Sequence, residues 1–347
     1  MSLPPVEVPS GAMRFNSDSQ KLEYWDGAQW LEVSTFSPNI GISTATGGAS
    51  LGAGPRGLWG GGRASPDVLS SIIDYVNISS TGNAINFGDL TQARRRVSAC
   101  ASSTRGVWGG GYNPDRNTID FVTISSTGSA TSFGSLTTSR RTPGSLSNST
   151  RGIWAGGATG PAVQNIIDYI TIASTGNAVD YGDLTIARDG PNGCSSPVRG
   201  IFAGGVSSLS PLVDSNVIDY ITISTLGNAQ DFGDLVVTTR SGGGCSNATR
   251  GLFGGGYTPT AVNTIQYVTI ASLGNAVRFG DLTRVGGPMQ AVSSPTRGVW
   301  GGGYVAPHFS NVIDYVNIST QGNAVDFGDL FTIRAAGGAC SNAHGGL

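Results

Sequence analysis

The stretch Arg105-Gly106-Val107-Trp108-Gly109-Gly110-Gly111 decides the fold, because it returns. Further copies begin at Arg56, Arg151, Arg199, Arg250 and Arg297, at spacings of 46 to 51 residues. A period of this size marks stacked or radially arranged units, each too small to bury its apolar faces alone. Every copy places a large aromatic after Arg-Gly and one small residue: Trp59, Trp108, Trp154, Phe202, Phe253 and Trp300. In a β-prone run closed by glycines, such a side chain reads as the volume between neighbouring units. Ligand stacking is the alternative reading.

Working outward from Arg105, Ile119-Asp120-Phe121-Val122-Thr123-Ile124 reads as the next strand and Ser126-Thr127-Gly128 as a turn. Ala130 to Gly134 reads as a short third strand. A connection rich in Ser, Thr and Arg follows, then a fourth strand over Ser145 to Ser149, centred on Leu146. Four short strands in about 48 residues is the arithmetic of a propeller blade. Both faces of the Ile119 strand carry apolar residues, as a sheet packed on both sides requires.

The third-strand block is more regular still. Gly82-Asn83-Ala84-Ile85-Asn86-Phe87-Gly88-Asp89-Leu90 recurs from Gly176, Gly227, Gly274 and Gly322. Its asparagines, Asn83, Asn177, Asn228, Asn275 and Asn323, stand beside glycine, where Asn can bond its own backbone. Its aspartates, Asp89, Asp183, Asp234, Asp281 and Asp329, read as turn caps, since one carboxylate per unit is a thin oxygen set for calcium. Cys100, Cys194, Cys245 and Cys340 share one repeat position with Leu51, Leu146 and Val292, so they read as reduced core residues. No local ligand pair suggests zinc, and no metal site is expected.

Composition agrees with an all-β class. Of 347 residues 54 are glycine, charged residues are 12%, and the formal net charge is −2. Near-neutrality gives no electrostatic footprint for nucleic acid. No run is long enough to span a membrane, and the opening Met1-Ser2-Leu3-Pro4-Pro5 has no signal-peptide pattern. Synthesis and assembly are therefore expected in a cytoplasm.

After a Pro-rich lead, Ala12–Asn16, Leu22–Trp25 and Trp30–Val33 read as a small antiparallel meander, turned at Ser17–Gln20 and Asp26-Gly27. Residues 35–50 read as a loop. The division expected is 1–45 for the meander and 46–347 for the repeats. The chain stops in Gly338-Ala339-Cys340-Ser341-Asn342-Ala343-His344, a first strand without its own second strand. The meander has the complementary deficit. Joining the two predicts seven blades, with Cys340 pairing beside Ala12–Asn16; six blades plus a separate meander is the alternative.

The unit resembles the kelch repeat: Trp108-Gly109-Gly110, Phe121 and Phe133 match, as do Trp300-Gly301-Gly302, Tyr315 and Phe327. It departs in having Phe or Tyr, not Trp, in the last strand. Gly11-Ala12-Met13-Arg14-Phe15-Asn16, Lys21-Leu22-Glu23-Tyr24-Trp25-Asp26-Gly27 and Trp30 resemble β segments of bacteriophage tail-fibre and other virion proteins. That resemblance implies a virion component, assembled in the host cytoplasm beside other virion proteins.

Catalytic chemistry is sparse. The histidines are His308, in a loop, and His344; no Ser-His-Asp set can be assembled. Glycine runs lack the Lys-Ser/Thr of a nucleotide loop, and no cofactor is expected. Asp74, Asp120, Asp168, Asp219 and Asp314 recur in the second-strand block, with Gln266 breaking the series, which favours a symmetric structural role over a catalytic pair. The expectation is a non-enzyme.

The unlike parts lie between the glycine run and the next strand: Arg63–Leu69, Tyr112–Arg116, Thr159–Gln164, Val206–Ser215, Tyr257–Val262 and Tyr304–Ser310. Binding residues are often carried on such loops. Tyr112, Tyr257, Tyr304, His308 and Phe309 are the candidate contacts to a partner, a host surface glycan or a receptor. A cellular kelch-like binding scaffold and a glycan-degrading virion appendage are the rival readings, and homo-oligomerisation is expected of a symmetric particle.

Overall fold

The computed structural model describes residues 9, 11–16, 21–32, 54–64 and 68–347. The turn at Ser17–Gln20, the loop at 35–50 and Leu51 lie outside them. The described residues form strands and connections without a helix. The chain divides into two compact units, Met1–Gly48 and Ala49–Leu347.

In the first unit, Met13–Asn16, Lys21–Trp25 and Trp30–Glu32 form a three-stranded antiparallel sheet. Tyr24 pairs with Met13 on one side and Leu31 on the other. Arg14 bonds Glu23 at 2.9 Å and lies 4.1 Å from the centre of the Trp30 ring.

The second unit holds six four-stranded antiparallel sheets, an arrangement compatible with a propeller. The second sheet is representative. Its order is Ser98–Ala101, Arg105–Gly109, Thr118–Thr123, Thr131–Ser135 from inner to outer strand. In all six sheets the ladder slips by one residue before the third-strand Asp or Gln, as at Ile119/Asp120. Such a bulge re-aims a side chain.

The first sheet is built from both ends of the repeat region. Gly338–Ser341 is its inner strand and pairs with Arg56–Gly60, placing Cys340 opposite Leu58. The expected pairing of the Cys340 strand with Ala12–Asn16 is therefore not made, and the meander contributes no strand to a four-stranded sheet. The reason is complementarity. Gly338–Ser341 carries the inner-strand pattern of the other units. A side chain at Gly106 would meet the Cys340 Sγ at 3.0 Å, and the Ser341 hydroxyl donates to the Ser293 carbonyl at 2.7 Å.

Neighbouring sheets are joined by the same residues each time. The arginine of each Arg-Gly donates to a backbone carbonyl of the next sheet: Arg56 to Ile124, Arg105 to Ile172, Arg151 to Ile223, Arg199 to Ile270, Arg250 to Ile318 and Arg297 to Ile78. The last of these returns to the first sheet. Asn177, Asn228, Asn275, Asn323 and Asn83 also link sheets, accepting the N–H of Ser135, Asp183, Asp234, Asp281 and Asp329 respectively. They do not serve their own backbone as expected, because the turn carrying each lies against the outer strand of the sheet before. That contact explains the adjacent glycine. A Cβ on Gly328 would stand 2.5 Å from the Gly82 carbonyl oxygen.

The aromatics fill the spaces between sheets. Trp59, Trp108, Trp154 and Trp300 are fully buried, and the Trp108 indole N–H donates to the Gly338 carbonyl at 3.0 Å. Side-chain size is matched across each junction. Gly109 faces Trp154, and a Cβ there would come within 2.7 Å of the indole. Where the next sheet offers Phe202 or Phe253, the equivalent residue is Ala155 or Ala203, packed in the same cluster as that ring. Edge-to-face pairs such as Phe121–Phe133, 5.7 Å between centroids, fill the outer layer. The four cysteines are free and buried in this core.

Candidate functional site

Each second strand runs into two glycines that only a left-handed backbone can turn. Gly110 has φ 74° and Gly111 φ 132°, and the Gly111 N–H donates to the Arg140 carbonyl. The chain leaves this turn into the variable segment, so all six variable segments emerge at the same end of their sheets. Five make a small hairpin; the longest pairs Val206–Leu209 with Leu212–Asp214. The first residue of each segment bridges back to the connection entering an inner strand, as Tyr112 does to Arg95 and Val206 to Asp189.

The expected contact residues all lie on these segments, but they do not form one site. Tyr304 and Phe309 stack at 4.7 Å, with the Arg63 guanidinium 5.1 and 5.3 Å from their ring centres. Tyr257 joins them: its hydroxyl lies 2.7 Å from the Tyr304 carbonyl and 2.9 Å from that of Gly287. Burial raises the Tyr257 pKa. His308 is exposed beside this group. Tyr112 stands apart, with Arg95, Arg96 and Arg141 each 5.2 to 5.5 Å from its ring centre.

A second feature was not anticipated. The connections into the inner strands pass through a left-handed residue at one equivalent position: Arg96 (φ 56°), Thr142 (φ 52°), Gly190 (φ 66°), Ser241 (φ 55°) and Ala336 (φ 59°). Four of the five are not glycine, and strain of this kind collects at functional sites. These residues help to line a hollow of about 230 Å³. Leu209 and Leu212 of the long hairpin wall one side, and Met289 adds apolar surface. Asp189, 8% exposed, also lines it, and its Oδ1 has no hydrogen-bond partner. Burial raises the Asp189 carboxyl pKa, against the pull of Arg96 and Arg141. A sequence signal existed: Asp189 occupies the bridging position held elsewhere by Arg95, Arg141 and Arg240.

Below the hollow the six inner strands surround a smaller cavity of about 130 Å³. A belt of serines runs round it. Ser147, Ser195, Ser246, Ser293 and Ser341 each donate to a carbonyl of the preceding sheet at 2.7 to 2.8 Å. The second sheet has Ala101 at this position, and there His344 enters. Its Nε2 lies 2.9 Å from the Ala101 carbonyl and 3.1 Å from the Ser147 hydroxyl, while Nδ1 accepts the Gly346 N–H.

The recurrent strand carboxylates are turned inward. Asp120, Asp168, Asp219 and Asp74 each meet a buried arginine: Arg94, Arg140, Arg188 and Arg334, at 2.5 to 3.0 Å. Burial pulls both Asp219 and Arg188 towards their neutral forms, and each partner opposes it in the other. The Phe-Gly-Asp carboxylates sit at the ends of outer strands, where Asp89 accepts the Ser71 hydroxyl and Asp281 pairs with Arg278. Among the described residues no group of three His, Cys, Asp or Glu could hold a metal ion. No helix is long and apolar enough to cross a membrane. No family model matches the chain, and no curated protein matches it.

Proposed function

We propose that this chain is a non-enzymatic structural or binding component of a bacteriophage virion, at its tail, fibre or capsid surface. In this reading residues 49–347 form a six-bladed, kelch-like ring whose unlike segments contact a partner. The observation that carries it is the contrast between frame and rim. Sheet after sheet repeats the same arginine, asparagine and aromatic contacts, while the segments leaving the glycine turns differ in length and residue type. Such a pattern suits a rigid scaffold bearing a binding face. The bond from Arg297 to Ile78 supports closure with six blades. The likeness of Ala12–Trp30 to virion appendage sequences supplies the particle.

A glycan-degrading role is less well supported. Asp74, Asp120, Asp168 and Asp219 are bound to arginines inside the sheets, away from the variable rim. The expected partners are other virion proteins, further copies of this chain, and a host surface glycan or receptor. The test is composition of purified particles by mass spectrometry, with antibody labelling to locate the chain. Particles that lack the chain defeat the reading and leave a cellular kelch-like scaffold as its replacement.

A further inference from the structure

We propose that the hollow at the glycine-turn end is a carbohydrate site that takes one neutral sugar residue, with Asp189 accepting hydrogen bonds from its hydroxyls. Arg96 and Thr142 line the same hollow and offer donors to the remaining sugar oxygens. Leu209, Leu212 and Met289 cover the C–H face of the ring.

The argument begins with Asp189. A carboxylate oxygen buried without a partner is costly. Here it faces a hollow wide enough to admit a ligand, beside residues held in left-handed backbone. A ligand that donates a hydrogen bond relieves that cost. The neighbours restrict which ligand. Arg96 and Arg141 already act electrostatically on Asp189, so a cationic head entering the hollow meets two positive charges. An acid would meet the Asp189 carboxylate. A polyol carries donors for Asp189 and acceptors for Arg96 without either repulsion. Size points the same way: about 230 Å³ is below the roughly 300–1,000 Å³ of pockets that enclose drug-sized ligands. One ring fits that scale better than an enclosed chain. The sugar as a host-surface component rests on the virion reading; the binding itself does not.

The experiment is saturation-transfer-difference NMR on the full chain with four separate probes: methyl glucoside, methyl galactoside, N-acetylglucosamine and rhamnose. At least one is expected to receive saturation. Asp189→Asn should weaken that probe by roughly ten- to a hundredfold, the loss of hydrogen bonds to a charged group. Leu212→Arg should block it without disturbing the core, since Leu212 is 53% exposed. This second variant decides the matter if Asp189→Asn does not fold. Tyr304→Ala, on the separate aromatic group, should leave binding unchanged. The proposal is overturned if none of the four sugars binds the unaltered protein, if neither variant weakens binding, or if Nα-acetyl-lysine amide binds in their place. Sugar binding by a chain absent from particles would keep this site and defeat the virion reading.

Discussion

Arg188 and Asp219 meet at 2.7 Å with both side chains fully buried, and Thr185 adds a hydroxyl to the same carboxylate. Removing one partner strands a charge away from water, which costs about 3–5 kcal/mol, whereas removing both can be nearly neutral. The chain contains its own version of the double change. In the fifth sheet Gln266 replaces the aspartate and Thr239 the arginine, and Gln266 instead exchanges two bonds with the Val237 backbone at 2.8 and 2.9 Å. We therefore expect Asp219→Asn or Arg188→Thr alone to lower unfolding free energy by about 3–5 kcal/mol. The pair Arg188→Thr with Asp219→Gln should recover most of that loss, measured by denaturant titration. No recovery would mean that the fifth sheet depends on further changes, such as Val236 for Thr185. The aspartate series was legible in the sequence because it recurs within a strand. Its arginines were not, because they lie in connections that read only as rich in Ser, Thr and Arg, and periodicity says nothing of who meets whom across a junction.

At the level of elements, the inner strands and the segment after the last of them show both the reach and the limit of the repeat. Gly338–Ser341 was readable as an inner strand lacking its partner, since it repeats the Gly-Cys-Ser pattern of Gly244–Ser246. The partner was misread because two edges competed and the sequence pattern does not rank them; the cysteine and serine contacts do. The hollow was hidden for a related reason, since its residues come from five connections that are unremarkable one at a time. His344 is placed by the same kind of convergence, at the centre of the inner strands. Its Nε2 lies 2.9 Å from the Ala101 carbonyl and Nδ1 accepts from Gly346, which together require the neutral ring. Enclosure lowers its pKa from the usual value, only partly offset by the Ala101 bond. The folded-state pKa is thus below the unfolded one, so the stabilisation is complete above the usual histidine range near 6.5 and is lost as pH falls below it. Hydrogen exchange at Gly345 and Gly346 should accelerate between pH 7 and 5, with the His344 ring titrating below its usual value by NMR. His344→Gln should flatten the dependence. A ring that titrates normally, with exchange insensitive to pH, would refute this account.

The whole repeat region depends on one junction that the chain order does not supply for free. Five of the six sheets are local in sequence, but the first joins residues near 338 to residues near 56. Stopping the chain after Gly337 removes four ladder positions from Arg56–Gly60, the sulfur packed on Gly106, the bond from Ser341 to Ser293 and the carbonyl that accepts Trp108. At about 0.5–1.5 kcal/mol for each net hydrogen bond, plus the exposed apolar surface, the loss is on the order of 5 kcal/mol. Domains are stable by only about 5–15 kcal/mol, so the loss is comparable to the total. It also leaves Arg56–Gly60 as an open edge, a template for association with other chains. We expect the chain ending at Gly337 to unfold at a much lower temperature than the full chain and to aggregate. A chain ending at Ser341 keeps the strand and loses only the segment carrying His344, so it should stay close to the full chain. Adding a peptide of residues 338–347 to the shorter chain should restore part of the melting temperature in a concentration-dependent way, as a ligand of the folded state does. If the two shortened chains melt together at the full-chain temperature, the pairing with Arg56–Gly60 is a frayed end rather than a closure, and the six-bladed ring loses its main physical support.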